Sequence, residues 1–243
     1  MATQSTIEWT EQTWNPTTGC TKVSPGCKNC YAEVMARRLH AMGAPGYDNE
    51  FGFTVQETRL EQPLLRKKPT TYFVNSMSDL FHESLPDEAV DRVFAEMAVA
   101  ASVLRCRRRD CDHEGFDCES TGRPPVPLGH SFQVLTKRAE RMRRYITDPT
   151  TRSRVLAAMR STAWTFEPLD EIEWPLPNVW LGVSVEDQAR ADERIPLLLD
   201  TPAAVRFLSV EPMIGPVDLR GRSTRNRDAC IRCGRCRAGG RRG

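Results

Sequence analysis

The feature that most limits how this chain can fold is a recurring order of segments, a short apolar run with β-branched or aromatic residues followed by a helix-like stretch. "TTYFVNSMSDLF" (71–81) precedes "PDEAVDRVFAEMAVAASVL", where Pro86, Asp87 and Glu88 mark a helix start and Val90, Val93, Phe94 and Met97 share one face. "HSFQVLTKR" (130–138) leads into "AERMRRYI", "NVWLGVSVED" (178–187) into "QARADERIPLLLD", and "AVRFLSVEPM" (204–213) closes the series. "IEWTEQTWNP" opens it, ahead of a cysteine loop and the helix-like "NCYAEVMARRLHAM". Strand then helix, repeated, predicts an α/β fold with a parallel sheet, either doubly wound or a (β/α) barrel.

The predicted strands end in polar residues: Asn75, Ser76 and Asp79; Thr136 and Lys137; Ser184 and Glu186; Ser209 and Glu211. Both α/β architectures place ligand sites at the C-terminal strand ends. Each residue alone could simply cap the next helix, but four successive strands ending this way predict a shared site.

Nine cysteines fall into three trios with different spacings. No apolar run approaches the roughly 18 residues of a membrane span, and the N-terminus lacks the basic and apolar regions of a signal peptide. We therefore expect a cytoplasmic chain whose thiols stay reduced.

In "TGCTKVSPGCKNCYAE" (18–33), Cys20, Cys27 and Cys30 occupy eleven positions, with Gly19, Pro25 and Gly26 letting the loop fold back. Cys30 is expected in the first turn of the next helix, where amides and dipole favour an anionic ligand. Three thiolates can hold three irons of a [4Fe–4S] cluster and leave the fourth open for catalysis. Zinc with a distant fourth ligand, or buried unliganded thiols, would also use them.

Residues 105–129 read as an inserted loop in which Cys106, Cys111, His113 and Cys118 offer a Cys3His set for a structural zinc. The third trio, "CIRCGRC" (230–236), has ferredoxin-like spacing but lacks a fourth cysteine and an apolar surround. The net charge of +2 divides into +8 for residues 220–243, with nine arginines and one aspartate, and −6 for the rest. This Gly/Arg-rich end reads as a disordered tail able to contact nucleic acid, and the body shows no nucleic-acid surface. The division expected is 1–104 and 130–219 for the two parts of the main domain, 105–129 for the insertion and 220–243 for the tail.

"GCTKVSPGCKNCYAE" resembles the cluster loop of radical S-adenosylmethionine enzymes, especially the spore-photoproduct-lyase-like branch. It differs by three extra residues in the first gap, with Asn29 in place of the usual aromatic and Tyr31 after the last cysteine. "IEWTEQTWNPTTGC", "FVNSMSDLFHE", "FQVLTKR", "NVWLGVSVEDQ" and "LSVEPMIGPVDL" are similar to a phage-associated three-cysteine family of unknown function, over residues 5–100 and 130–219. The resemblance implies a partial (β/α) TIM-type barrel of the radical-enzyme kind and a [4Fe–4S] cluster on Cys20, Cys27 and Cys30. It also implies S-adenosylmethionine as cofactor and an electron donor; it does not supply a substrate, for which a nucleic acid or nucleotide is the expectation only by analogy with the lyase-like loop and the phage association. Asn75, Ser76, Asp79, Lys137, Ser184, Glu186 and Glu211 are the candidates for binding the cofactor or substrate. The competing expectation is a non-catalytic zinc protein that contacts nucleic acid or a protein partner.

The resemblance further implies another strand, helix and strand after "EPMIGPVDL", where this chain becomes Gly/Arg-rich instead. The expectation is a truncated or frame-shifted end, or else an authentic basic tail. With the end altered, the barrel is incomplete, its edge near 204–210 exposed or covered by a protein partner, and activity weak.

Overall fold

The computed structural model describes residues 9–66, 68–102, 104–105, 126–127, 129–162 and 171–220. The tail beyond Arg220, the third cysteine trio and nearly all of the insertion, including Cys106, Cys111, His113 and Cys118, lie outside the described residues.

Five strands form one parallel sheet: β1 Gln12–Trp14, β2 Thr71–Val74, β3 Ser131–Thr136, β4 Val179–Ser184 and β5 Val205–Ser209. Their spatial order follows their sequence order. Register runs Trp14↔Val74↔Val134↔Leu181↔Arg206 across the sheet. The helices are α1 Tyr31–Ala41, α2 Asp87–Ser102, α3 Ala139–Thr147, α4 Thr151–Arg160 and α5 Gln188–Leu199. The α/β class and the predicted strand–helix pairs hold, and α4, within "TRSRVLAAMR", is an element that the sequence reading passed over.

Alternation along each strand sorts the side chains onto two faces. Trp14, Tyr72, Val74, Phe132, Val134, Leu181 and Val183 are buried in one continuous core with α2–α5. Tyr72 and Phe132 stack at 5.5 Å, and Trp14 packs against Phe132 at 5.6 Å while its Nε1–H donates to Arg59 O at 2.7 Å. The opposite face carries Phe73, Gln133 and Phe207. Trp9 lies over it, with ring centroids 5.1 Å from Phe73 and 6.3 Å from Phe207, and its carbonyl accepts from Gln133 Nε2.

Among the described residues β5 is an outer strand of this sheet, with Val205 exposed and Phe207, Leu208 and Ser209 half-buried. A short antiparallel ladder, Leu104–Arg105 against Val126–Pro127, closes the base of the insertion. No helix among the described residues is long and apolar enough to cross a membrane.

Candidate functional site

The cysteine loop runs from the end of β1 to the start of α1, over the C-terminal ends of the strands. It enters through Gly19, whose φ of +82° an L side chain rarely adopts and whose Cβ, if present, would lie 2.3 Å from Gly52 O. Gly19 N donates to Met77 O at 3.0 Å, which ties this entry to the turn after β2. At its exit Cys30 is the N-cap of α1 rather than a first-turn residue, with extended backbone and no cap bond from its side chain.

Two groups from the strand ends grip the loop between these points. The first is Arg138, buried where β3 meets α3. Its Nη2 donates to Thr21 O at 3.2 Å and Thr21 Oγ1 at 3.0 Å, and its Nη1 lies 3.5 Å from Cys20 Sγ. On its other side it pairs with Asp79 at 3.1 Å and Glu83 at 2.8 Å. Burial opposes the charge on Arg138, but Asp79, Cys20 and Glu83 outweigh it and leave the guanidinium more firmly protonated than usual. The second grip is Glu186, which follows β4 and is fully buried. It accepts from Ser24 Oγ and from Arg194 Nη1, the latter at 2.9 Å. A Cβ on Gly26 would sit 3.0 Å from the Glu186 carboxyl, so the loop backbone lies directly against it.

The three cysteines are free thiols, each half-buried. Burial, then the neighbouring charge of Asp79, raises the Cys20 thiol to about 11 against the pull of Arg138. Burial also opposes the Cys27 thiolate. Hydrogen bonding to Val23 and Ser24 and the charge of Lys137 overcome it, so this thiol ionises more readily than usual. Among the described residues no three Cys, His, Asp or Glu side chains converge as a ready-made metal group. The donor set itself, three reduced thiols on one short loop beside cationic Lys137 and Arg138, fits an anionic iron–sulfur cluster, whose binding would draw the sulfurs together.

The seven polar candidates divide by place. Asp79 has both oxygens occupied, by Thr136 Oγ1 at 2.7 Å, Phe81 N at 3.0 Å, Lys137 N at 3.1 Å and Arg138. Glu186 is likewise taken up by Ser24 and Arg194. Both therefore anchor the loop in this structure. Lys137 is half-buried near Cys27. Ser184 is buried and its carbonyl accepts from Arg194 at 2.8 Å. Ser76 Oγ donates to Asn15 Oδ1 at 3.1 Å, and its carbonyl accepts from the Tyr31 hydroxyl. Asn75, at φ +61°, donates from Nδ2 to Thr17 Oγ1 at 2.9 Å, while its buried Oδ1 has no hydrogen-bond partner. Glu211 is exposed on the segment after β5, from which Ile214 N reaches Glu186 O at 2.9 Å.

Sequence reasoning passed over Arg138, Arg194, Thr21 and Ser24. Arg194 carried a signal, because it shares one helix face with Ala191, Ile195 and Leu198 and so puts a charge into an apolar stripe. Arg138 stands beside Lys137 in "LTKR" and had no such mark.

A family model described as "Protein of unknown function (DUF5131)" matches residues 4–104 and 127–241. The chain belongs to this family. Curated proteins and solved structures yield no match. The two DUF5131 segments contain the cysteine loop, both grips and all five sheet strands, and the residues between them are those that leave and rejoin the body at the short ladder.

Proposed function

We propose that the chain is an iron–sulfur enzyme of the radical S-adenosylmethionine type, in which Cys20, Cys27 and Cys30 hold one [4Fe–4S] cluster. The observation that carries this reading is the placement of three free thiols on a loop gripped over the C-terminal ends of a parallel sheet with sequential strand order. A doubly wound sheet reverses its order at a switch point. An unreversed run suits the wall of a (β/α) barrel, whose active site lies at that same end.

The chemistry such a group supplies when bound is one-electron cleavage of the sulfonium of S-adenosylmethionine. The protein's part is to bind, orient and exclude water. Arg138 and Glu186 fix the loop, and Lys137 offsets the thiolate charge. Asn75 Oδ1, buried without a partner, is an acceptor for an N–H of the cofactor or substrate. The substrate class, a nucleic acid or nucleotide, and the phage association rest on the resemblance of the motifs. A reducing cytoplasm would keep the thiols available.

Anaerobic reconstitution tests the reading. The chain should turn brown, with absorbance near about 400 nm and iron matched by sulfide as in a [4Fe–4S] protein. Cys20→Ala, Cys27→Ala and Cys30→Ala should each lose the cluster. A colourless protein loaded with zinc, or three single variants that all keep the spectrum, would sink the proposal.

A further inference from the structure

The hydroxyl of Thr21 is fixed in the direction it donates. Beside it lies His82, a buried ring stacked on Phe53 with centroids 4.6 Å apart. His82 Nδ1 accepts from the Ser84 amide at 3.1 Å. A backbone N–H can only donate, so this ring nitrogen carries no proton. The proton of the imidazole is therefore on Nε2, an assignment that follows from its partners. Nε2 lies 3.0 Å from Thr21 Oγ1 and donates to it. Arg138 Nη2 donates to the same oxygen, also at 3.0 Å.

A hydroxyl accepts through two lone pairs and donates one hydrogen. With both lone pairs taken by His82 and Arg138, the Thr21 hydrogen has to leave toward a third group, and no described residue accepts it. Thr21 directly follows Cys20, and neighbouring amino groups of one guanidinium reach both. Arg138 Nη1 lies 3.5 Å from Cys20 Sγ and Nη2 3.0 Å from Thr21 Oγ1. The hydroxyl thus stands beside the first sulfur of the cysteine loop with its hydrogen uncommitted. Thr21 is exposed, so water is the competing acceptor.

We propose that Thr21 donates its hydroxyl hydrogen to a sulfur of the metal centre held by Cys20, Cys27 and Cys30 and so raises the reduction potential of that centre. Arg138 and His82 are the positioning residues that fix the direction of the donor. The inference rests on the iron–sulfur reading above. Reduction adds one electron, and hence one negative charge, to the centre, and a hydrogen bond to its sulfur favours the more negative state. A hydrogen spent on water instead would give the side chain no hold on the potential.

Anaerobic potentiometric titration of the full reconstituted chain, with dithionite as reductant, tests this in wild type, Thr21→Val and Thr21→Ser at equal iron content. Valine keeps the branched shape without the hydroxyl, and serine keeps the hydroxyl without the methyl group. Thr21→Val should lower the equilibrium constant for reduction about tenfold, which for a one-electron couple is about 59 mV. Thr21→Ser should stay within about twofold of wild type, an outcome that a merely structural role for the side chain would not single out. His82→Phe keeps a ring against Phe53 but frees the hydroxyl to turn, and its potential should fall between those of wild type and Thr21→Val. Nitrogen NMR of the His82 ring in the iron-free chain should find the proton on Nε2. Equal potentials in wild type and Thr21→Val, a Thr21→Ser as low as Thr21→Val, or a proton on His82 Nδ1 overturns the proposal. Should Thr21→Val fail to take up iron, His82→Phe decides, and a wild-type potential there overturns it. A wild-type chain that takes up no iron sinks the functional reading itself, whereas the His82 measurement tests the direction of the hydroxyl without iron.

Discussion

Glu96 shows how one side chain can set a pH response far from the cysteine loop. It sits on the buried side of α2 with its Oε2 lacking a hydrogen-bond partner. Burial first, then repulsion from Glu61, raises its carboxyl from the ordinary 4.5 to about 7. Between those values the folded chain holds a proton that the unfolded chain releases, so stability falls as pH rises through this window. Glu96→Gln keeps the shape and cannot ionise. It should flatten that slope and stabilise the protein at pH 8 by about 1–3 kcal/mol. Chemical denaturation of both proteins at pH 5 and pH 8 checks this, and parallel slopes would refute it. By contrast, both oxygens of the similarly buried Asp79 are hydrogen-bonded, by Thr136, Phe81, Lys137 and Arg138.

At the level of elements, the cysteine loop is held by bonds from outside itself. Thr21 is its contact with Arg138 and Ser24 its contact with Glu186. Thr21→Val removes the Oγ1 part of the Arg138 grip, leaving the Thr21 carbonyl bond, and Ser24→Ala removes the bond to Glu186; both leave the buried ion pairs intact. Each should cost about 1 kcal/mol locally and speed amide exchange near its own site roughly fivefold, with the sheet unaffected. Unchanged exchange between residues 18 and 30 in both variants would show that the grips do not order the loop. Removing Arg194 instead would strand a fully buried Glu186, at about 3–5 kcal/mol. These grips also mark how far the sequence could be read. Strand and helix periodicity was visible in the residues, because it is local: Val90, Val93 and Phe94, or Ala191, Ile195 and Leu198, repeat at helical spacing. The cysteine loop was visible too, through its spacing and glycines. The pairing of Thr21 with Arg138 and of Ser24 with Glu186 spans more than a hundred residues, and no local pattern encodes it. That is why the loop-bracing contacts of Asp79 and Glu186 were not legible in the residues themselves. Helix α4 was missed because its buried residues, Thr151, Val155 and Met159, make a thin stripe between arginines.

For the molecule as a whole, the parallel sheet is assembled from two stretches of sequence, one contributing β1 and β2 and the other β3 to β5. Between them the chain leaves at Arg105 and returns at Val126, residues that are direct partners in an antiparallel ladder. Replacing residues 106–125 by a turn of about four residues should leave the melting temperature within about 3 °C and the iron content of reconstituted protein unchanged. Loss of solubility or of iron would show that the body depends on the excised segment. Adjacent strands run about 5 Å apart, so the exit and re-entry points form a doorway one ladder wide. A fluorescent reporter domain with neighbouring termini could be spliced there without prying the body open. It would give an optical handle on folding and encounter, placed away from the cysteine loop in sequence and attached at both ends.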